Sequence, residues 1–386
     1  MNPQTIRDIM SGRQRGIAAD ALRAALCIAE KPYAAAMRIR RWAYRKNFVR
    51  SRRAAAPVIS IGNITAGGTG KTPMVAFIAG QLLALGRRPA VVMRGYKSIA
   101  GKSDEAQMLK QLIKAESEKL KAEIPFAEAI YVNPDRVAGA RQAVAGGADV
   151  IILDDAFQHL RIRRDLDIVL IDATNPLGFG HCLPRGLLRE PPAALADAGA
   201  IVITRSDQVS AGQLQQLRQY IYSLAPHSSI HIAVHRPAAV IDENGNALPP
   251  SALAGRAVYA FCGIGNPDSF LSQLRMLGAN VKGQSVFGDH CEYSDATLAE
   301  IFARARAAAD CLITTQKDFV KIEGLIKAIS GLSSREDVSH AEPSPSARNL
   351  HALHLHPLPI LQLAIEIQIT DGLESLLEKL KVRITK

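Results

Sequence analysis

Residues 58–73 read VISIGNITAGGTGKTP, and three textures follow one another there and just beyond. Val58–Asn63 is a short apolar run. Thr65-Ala66-Gly67-Gly68-Thr69-Gly70-Lys71-Thr72 is a glycine-rich loop, and MVAFIAGQLLALG (74–86) is helical in pattern. A buried strand, a glycine loop and a helix in that order form the context a phosphate-binding loop requires. Gly67, Gly68 and Gly70 let the backbone wrap phosphate oxygens with N–H groups, while the helix directs its positive end at them. Lys71 is placed to reach β- and γ-phosphates, and the Thr72 hydroxyl to sit on Mg²⁺. Pro73 falls in the first helical turn, where the spare donors tolerate it. Thr65 stands where such loops usually carry their first glycine.

Outward from the loop, strands and helices alternate. RPAVVMRGY (88–96) reads as a strand, DEAQMLKQLIKAESEKL (104–120) as a helix, and Ala129–Val132 as a short strand. Helix DRVAGARQAVAGG (135–147) and the apolar strands DVIILDD, LDIVLID and AGAIVIT follow. Strands this continuously apolar, separated by helices, predict a doubly wound parallel sheet covered on both faces, a P-loop NTPase-like α/β fold. Residues 230–255 suggest two extended segments around an Asn-Gly turn, hence a β-hairpin linker. The βα pattern then restarts at AVYAFCGIG, which predicts a second, smaller α/β domain. The expected division is 1–53, a basic helical region; 54–229, the P-loop domain; 230–255, the linker; and 256–386, the smaller domain. Within the last, 330–348 is rich in Ser and Pro and reads as a mobile loop.

Two carboxylate clusters accompany the loop. Asp154 and Asp155 end an apolar strand, where Mg²⁺ or its water shell is held in P-loop proteins. Asp104 and Glu105 open a helix, where acidic residues serve either as dipole complements or as base and metal contact. His159 and His290, and Arg136 and Arg189 at element boundaries, complete the candidates.

The 386 residues carry 47 Lys and Arg against 36 Asp and Glu, a formal charge of +11, which favours an anionic partner. Eight of those basic residues fall between Arg38 and Arg53, interleaved with Trp42, Tyr44 and Phe48, a composition suited to an anionic membrane surface. The five cysteines form no CxxC pair, as in a reducing compartment, and neither a disulfide framework nor a zinc site is expected. MNPQTIRDIMSGRQRG has no apolar core before a small-residue cleavage site, so no secretory signal is expected. No stretch reaches the ~20 apolar residues of a membrane span.

GNITAGGTGKTP, RGY, the Asp104–Glu105 pair, DDAFQH, RDLDIVLIDA, LPRGLLREP, VITRSD, GIGNPDSF, the GDH segment and TTQKDFVK occur in this order over residues 57–322. The combination resembles the tetraacyldisaccharide 4'-kinases, the lipid A 4'-kinases of bacteria with outer membranes. That resemblance implies transfer of the ATP γ-phosphate to the 4'-hydroxyl of a tetraacylated glucosamine disaccharide 1-phosphate. It implies that residues 65–72 hold the nucleotide, that Asp104 is the base, and that His290 orients it. Glu105 and Thr72 would hold Mg²⁺ together with one of the strand-end carboxylates, Asp155 among them. Asp154, Asp155 and His159 would cluster at the phosphates, with Arg136 and Arg189 on substrate. The implied place is the cytoplasmic face of the inner membrane, as a peripheral protein acting on a glycolipid, with neither nucleic acid nor an obligate protein partner. Ala156 departs from the family's glycine in DDGFQH, and Cys291 from the second histidine of DHH. SDEA replaces a GDEP context, and Gln316 the glutamate of TEKD.

One rival class is a regulatory GTPase. Thr204-Arg205-Ser206-Asp207 approximates the guanine-reading [NT]-K-x-D signal, with Arg205 in place of Lys, but Phe157 stands where the D-x-x-G switch needs glycine. A non-enzymatic membrane- or nucleic-acid-binding protein is a second, and it leaves the P-loop and the acidic pair unexplained.

Overall fold

The computed structural model describes residues 3–95, 104–122, 124, 126–127, 129–288, 291–333 and 358–384. The chain divides into two compact units, one made of residues 1–235 and 367–386, the other of 236–366.

In the first unit, β1 (Val58–Asn63) is buried at all six positions, and β2 (Pro89–Met93) and β6 (Ala200–Thr204) at all five. With β3 (Ile130–Val132), β4 (Val150–Asp154), β5 (Leu166–Asp172) and the start of β7 (Ser229–Ile241) they form a parallel sheet ordered β3-β2-β4-β1-β5-β6-β7. Such burial leaves no room for alternation, so these strands read as unbroken apolar runs. Met74, Ile78, Leu82 and Leu83 of α3 (Lys71–Ala84) pack on one face, joined by Leu109 and Ile113 of α4 (Asp104–Lys119). The other face is covered by α5 (Arg136–Ala145), whose Asp135 side chain accepts from the N–H groups of Val137 and Ala138, and near β5 and β6 by α6 (Ala211–Leu224).

One correction to the expected division follows. Residues 367–384, the end of β12 (Ile360–Asp371) and α10 (Leu373–Ile384), belong to the first unit rather than the second: Ile367, Ile369, Leu376, Leu380 and Ile384 share one core with Ile59 and Met74. Apolar periodicity marks such a helix but not the sheet it covers. The N-terminal region is α1 (Pro3–Ser11) and α2 (Ile17–Arg45), and α2 directs several of its cations inward. Arg41 stacks on the Phe157 ring at 4.5 Å, pairs with Glu190, and reaches Asp197 at 2.6 Å. Arg40 donates to the Gln158 carbonyl at 2.9 Å.

In the second unit β7 pairs antiparallel with β8 (Ala247–Leu248), Val240 opposite Leu248, around a turn in which Gly245 takes φ 87°. A parallel sheet follows, ordered β10-β9-β11-β12, from β9 (Ala257–Cys262), β10 (Asn280–Val286), β11 (Cys311–Thr315) and β12. Helices α7 (Pro267–Met276), α8 (Asp295–Arg306) and α9 (Gln316–Ser333) complete it. The expected loop at 330–348 lies, from 334 on, outside the described residues.

Candidate active site

The phosphate loop leaves β1 at Asn63 and enters α3 through Gly70, the N-cap residue, held at φ 90°. Gly67 sits at φ 131°, with nothing within 4 Å of where a Cβ would project. Gly70 is closed on its own side instead, where an added Cβ would collide with the His235 ring. Both positions favour glycine because both take positive φ, and Gly70 in addition has no room for a side chain.

What shapes the loop is a set of donors beneath it. Thr204 Oγ1 donates to the Thr69 carbonyl at 3.0 Å, and Arg205 Nη2 to the Gly68 carbonyl at 2.9 Å. Asn63 Nδ2 donates to Thr69 Oγ1 at 3.0 Å. These donors fix the carbonyls of Gly68 and Thr69 and the hydroxyl of Thr69. Arg205 is a non-glycine at φ 54°, and its Nη1 is paired with Asp172 at the end of β5. In sequence, TRSD is both part of the family-like VITRSD segment and an approximation to a guanine-reading signal, and neither shows this bracing role. The available signal was that Asn63, Asp172 and Thr204 end adjacent parallel strands, where open α/β sheets bind ligands.

A second strap runs alongside. The Ala66 N–H donates to the Leu187 carbonyl at 2.6 Å, and the Arg189 N–H to that of Ile64 at 2.7 Å. The LPRGLLREP segment is thereby laid against the loop's first residues. It delivers Arg189, whose Nη1 lies 2.7 Å from Asp155 Oδ1, and Lys71 Nζ lies 3.7 Å from the same oxygen. Lys71, Asp155 and Arg189 therefore converge at the start of α3.

The two strand-end carboxylates differ. Asp155, at φ 47°, is desolvated, yet Lys71 and Arg189 outweigh that and hold its carboxyl below the usual range. Asp154 Oδ1 is buried and, among the described residues, has no hydrogen-bond partner. Burial, with the Asp155 charge added, pushes the Asp154 carboxyl up to about 6, and the charge of Glu105 acts in the same direction.

His159 is also desolvated. Burial and then Arg136 push its pKa down to about 4, so the ring is neutral at pH 7. Arg136, expected on substrate, is buried and donates to the backbone carbonyls of Asn133 at 3.2 Å and Asp154 at 3.0 Å. Asp104 opens α4, but its side chain, like the whole of His290, lies outside the described residues.

The family profile described as tetraacyldisaccharide-1-P 4'-kinase matches residues 22–340. A tetraacyldisaccharide 4'-kinase of Geobacter metallireducens is 42% identical over 310 residues, 78% of this chain and 88% of that protein. One from Anaeromyxobacter dehalogenans (strain 2CP-C) is 38% identical over 320 residues, 80% and 83% of the two chains. The crystal structure of LpxK from Aquifex aeolicus, in complex with ATP, superposes with a TM-score of 0.66 at 23% identity, covering 94% of this chain and 99% of that one. Strand–loop–helix, paired carboxylates and a match over most of the chain agree, and the protein belongs to the tetraacyldisaccharide-1-P 4'-kinase family.

Proposed function

We propose that the protein transfers the γ-phosphate of ATP to the 4'-hydroxyl of tetraacyldisaccharide 1-phosphate, a lipid A precursor. The observation that carries this reading is the convergence of Lys71, Asp155 and Arg189 beside a braced glycine loop, in a chain of this family. Residues 65–72 hold the phosphates, and Lys71 and Arg189 supply positive charge where phosphate charge shifts during transfer. Asp155 holds those two cations in place. Asp104 takes the sugar hydroxyl proton and His290 polarises it, a role worth roughly 10²–10⁴-fold for a positioned base.

Hard oxygen ligands suit Mg²⁺, and Asp154 Oδ1, without a hydrogen-bond partner among the described residues and with the Glu105 charge felt there, fits such a cation. Thr72, Glu105 and Asp154 are the residues that would hold it, with Asp155 contributing through its neighbours. Mg²⁺ neutralises phosphate charge when bound.

Helix α2 suits docking at the cytoplasmic face of an anionic bilayer. Ile17, Ile28 and Ile39 are exposed along it, Trp42 (52% exposed) stacks on Phe48 (74%), and Arg38, Lys46, Arg50 and Arg53 are exposed. No described helix is long and apolar enough to cross a membrane. No observation favours guanine reading, since Arg205 is engaged with Gly68 and Asp172.

The test is transfer of labelled γ-phosphate from ATP to tetraacyldisaccharide 1-phosphate in detergent micelles. Mg²⁺-dependent transfer by the wild type, lost in Lys71→Ala, is expected. ATP binding without transfer to this acceptor would overturn the substrate assignment.

A further inference from the structure

Helix α2 carries Cys27 and Glu30 one turn apart, on one face. Against them stands His181, in extended conformation just after the short helical turn Gly178–Gly180. One ligand atom from each of the three lies within 4.8 Å of the others, and all three residues are half-buried. His181 Nδ1 is 2.8 Å from Glu30 Oε2. The other oxygen, Oε1, accepts the Cys182 N–H at 2.6 Å, so the carboxylate is held from outside the cluster.

We propose that Cys27, Glu30 and His181 form a site for a borderline-soft divalent cation of the zinc class. Thiolate, imidazole and carboxylate together are the donor set of such ions, at roughly 2.0–2.3 Å from the metal. Those bond lengths set tetrahedral ligand separations of roughly 3.3–3.8 Å, within reach of small side-chain rotations from the present arrangement. Three protein ligands on a half-exposed surface leave the fourth position to water. Mg²⁺, which demands oxygen ligands in octahedral geometry, is excluded, so this site does not compete with the nucleotide's metal. On binding, the Cys27 Sγ–H bond breaks, the sulfur keeps the electron pair for the cation, and one proton passes to solvent. His181 binds as neutral imidazole.

The cation would tie α2 to the segment whose Leu187 and Arg189 backbones bond Ala66 and Ile64. It would act as a clamp on the strap beside the phosphate loop, without touching the reacting atoms.

Purified full-length protein titrated with Zn²⁺ against a chromophoric chelator, and with Co²⁺ as a spectroscopic probe, tests this. The expected result is one Zn²⁺ per chain with a Kd below about 1 µM, weaker than four-ligand structural sites. Near-ultraviolet thiolate-to-Co²⁺ absorption and a rise in Tm with Zn²⁺ should accompany it. Cys27→Ser and His181→Asn should each weaken binding at least about 10-fold, and Cys27→Ser should remove the thiolate absorption. Glu30→Gln, nearly isosteric, serves as the third variant if either of these unfolds. Undiminished Zn²⁺ affinity in the folded variants, or no thiolate absorption in the wild type, would overturn the site.

Discussion

The guanidinium of Arg205 donates to the carbonyl oxygen of Gly68 at 2.9 Å, across 137 positions of sequence. A residue at the end of β6 thus braces the backbone of the glycine loop. A hydrogen bond from a charged donor contributes about 1.5–3 kcal/mol. Arg205→Ala is therefore expected to weaken ATP binding roughly 10–100-fold, read by isothermal titration. An unchanged ATP affinity would show that the loop holds its shape without the brace.

Asp154 makes a pH-dependent prediction. Its carboxyl titrates near 6 when folded, above the ordinary carboxylate value, because burial disfavours the charge. The folded state therefore binds the proton more tightly than the unfolded one, and stability falls as pH rises from about 4 through about 6. At pH 7.5 the whole penalty, about 3 kcal/mol, is present. Asp154→Asn removes it: the variant without nucleotide or metal should gain stability at pH 7.5 but not at pH 4, while losing turnover. Urea unfolding at the two pH values measures the difference. Equal shifts at both would assign the effect to packing.

Arg41 and Glu190 form a buried pair, Glu190 being 1% exposed. Arg41→Ala strands the carboxylate and should destabilise by about 3–5 kcal/mol. Arg41→Met combined with Glu190→Leu should recover much of that. Thermal unfolding that left the single variant at the wild-type Tm would mean the pair contributes nothing net.

Trp42, near the end of a helix that also exposes Ile28 and Ile39, stacks on Phe48 of the turn that follows, with a centroid separation of 5.2 Å. Trp42→Ser with Phe48→Ser should reduce sedimentation with vesicles containing phosphatidylglycerol several-fold, without changing transfer to a micellar acceptor. Binding by the variant equal to wild type would move the docking surface elsewhere.

How much of this was legible beforehand varies with distance along the chain. The strand–loop–helix at 58–86 is local, its meaning carried by glycine placement and apolar runs, and the sheet followed from it. The bracing under the loop was not legible, because Thr204 and Arg205 acquire their role only when β6 lies two strands from β1. The charge of α2 was visible but its direction was not: Arg40 and Arg41 look like the exposed Arg38 in sequence, yet they turn to Gln158 and Glu190. The carbonyl contacts of Arg136 were hidden in the same way, since a cation at a helix start suits phosphate and buried carbonyls equally well. Cys27 and His181, 154 positions apart, form no spacing motif at all.

The return of residues 367–384 to the first unit has a consequence for biosynthesis. A ribosome that has delivered the phosphate loop, both carboxylate clusters and every strand through β6 has still not delivered Leu376, Leu380 and Ile384, which share a core with α3. The nucleotide-binding unit therefore closes only after all 131 residues of the intervening unit, 236–366, have been made. Until then a nascent chain carries α3, buried along most of its length in the finished protein, with part of its cover missing.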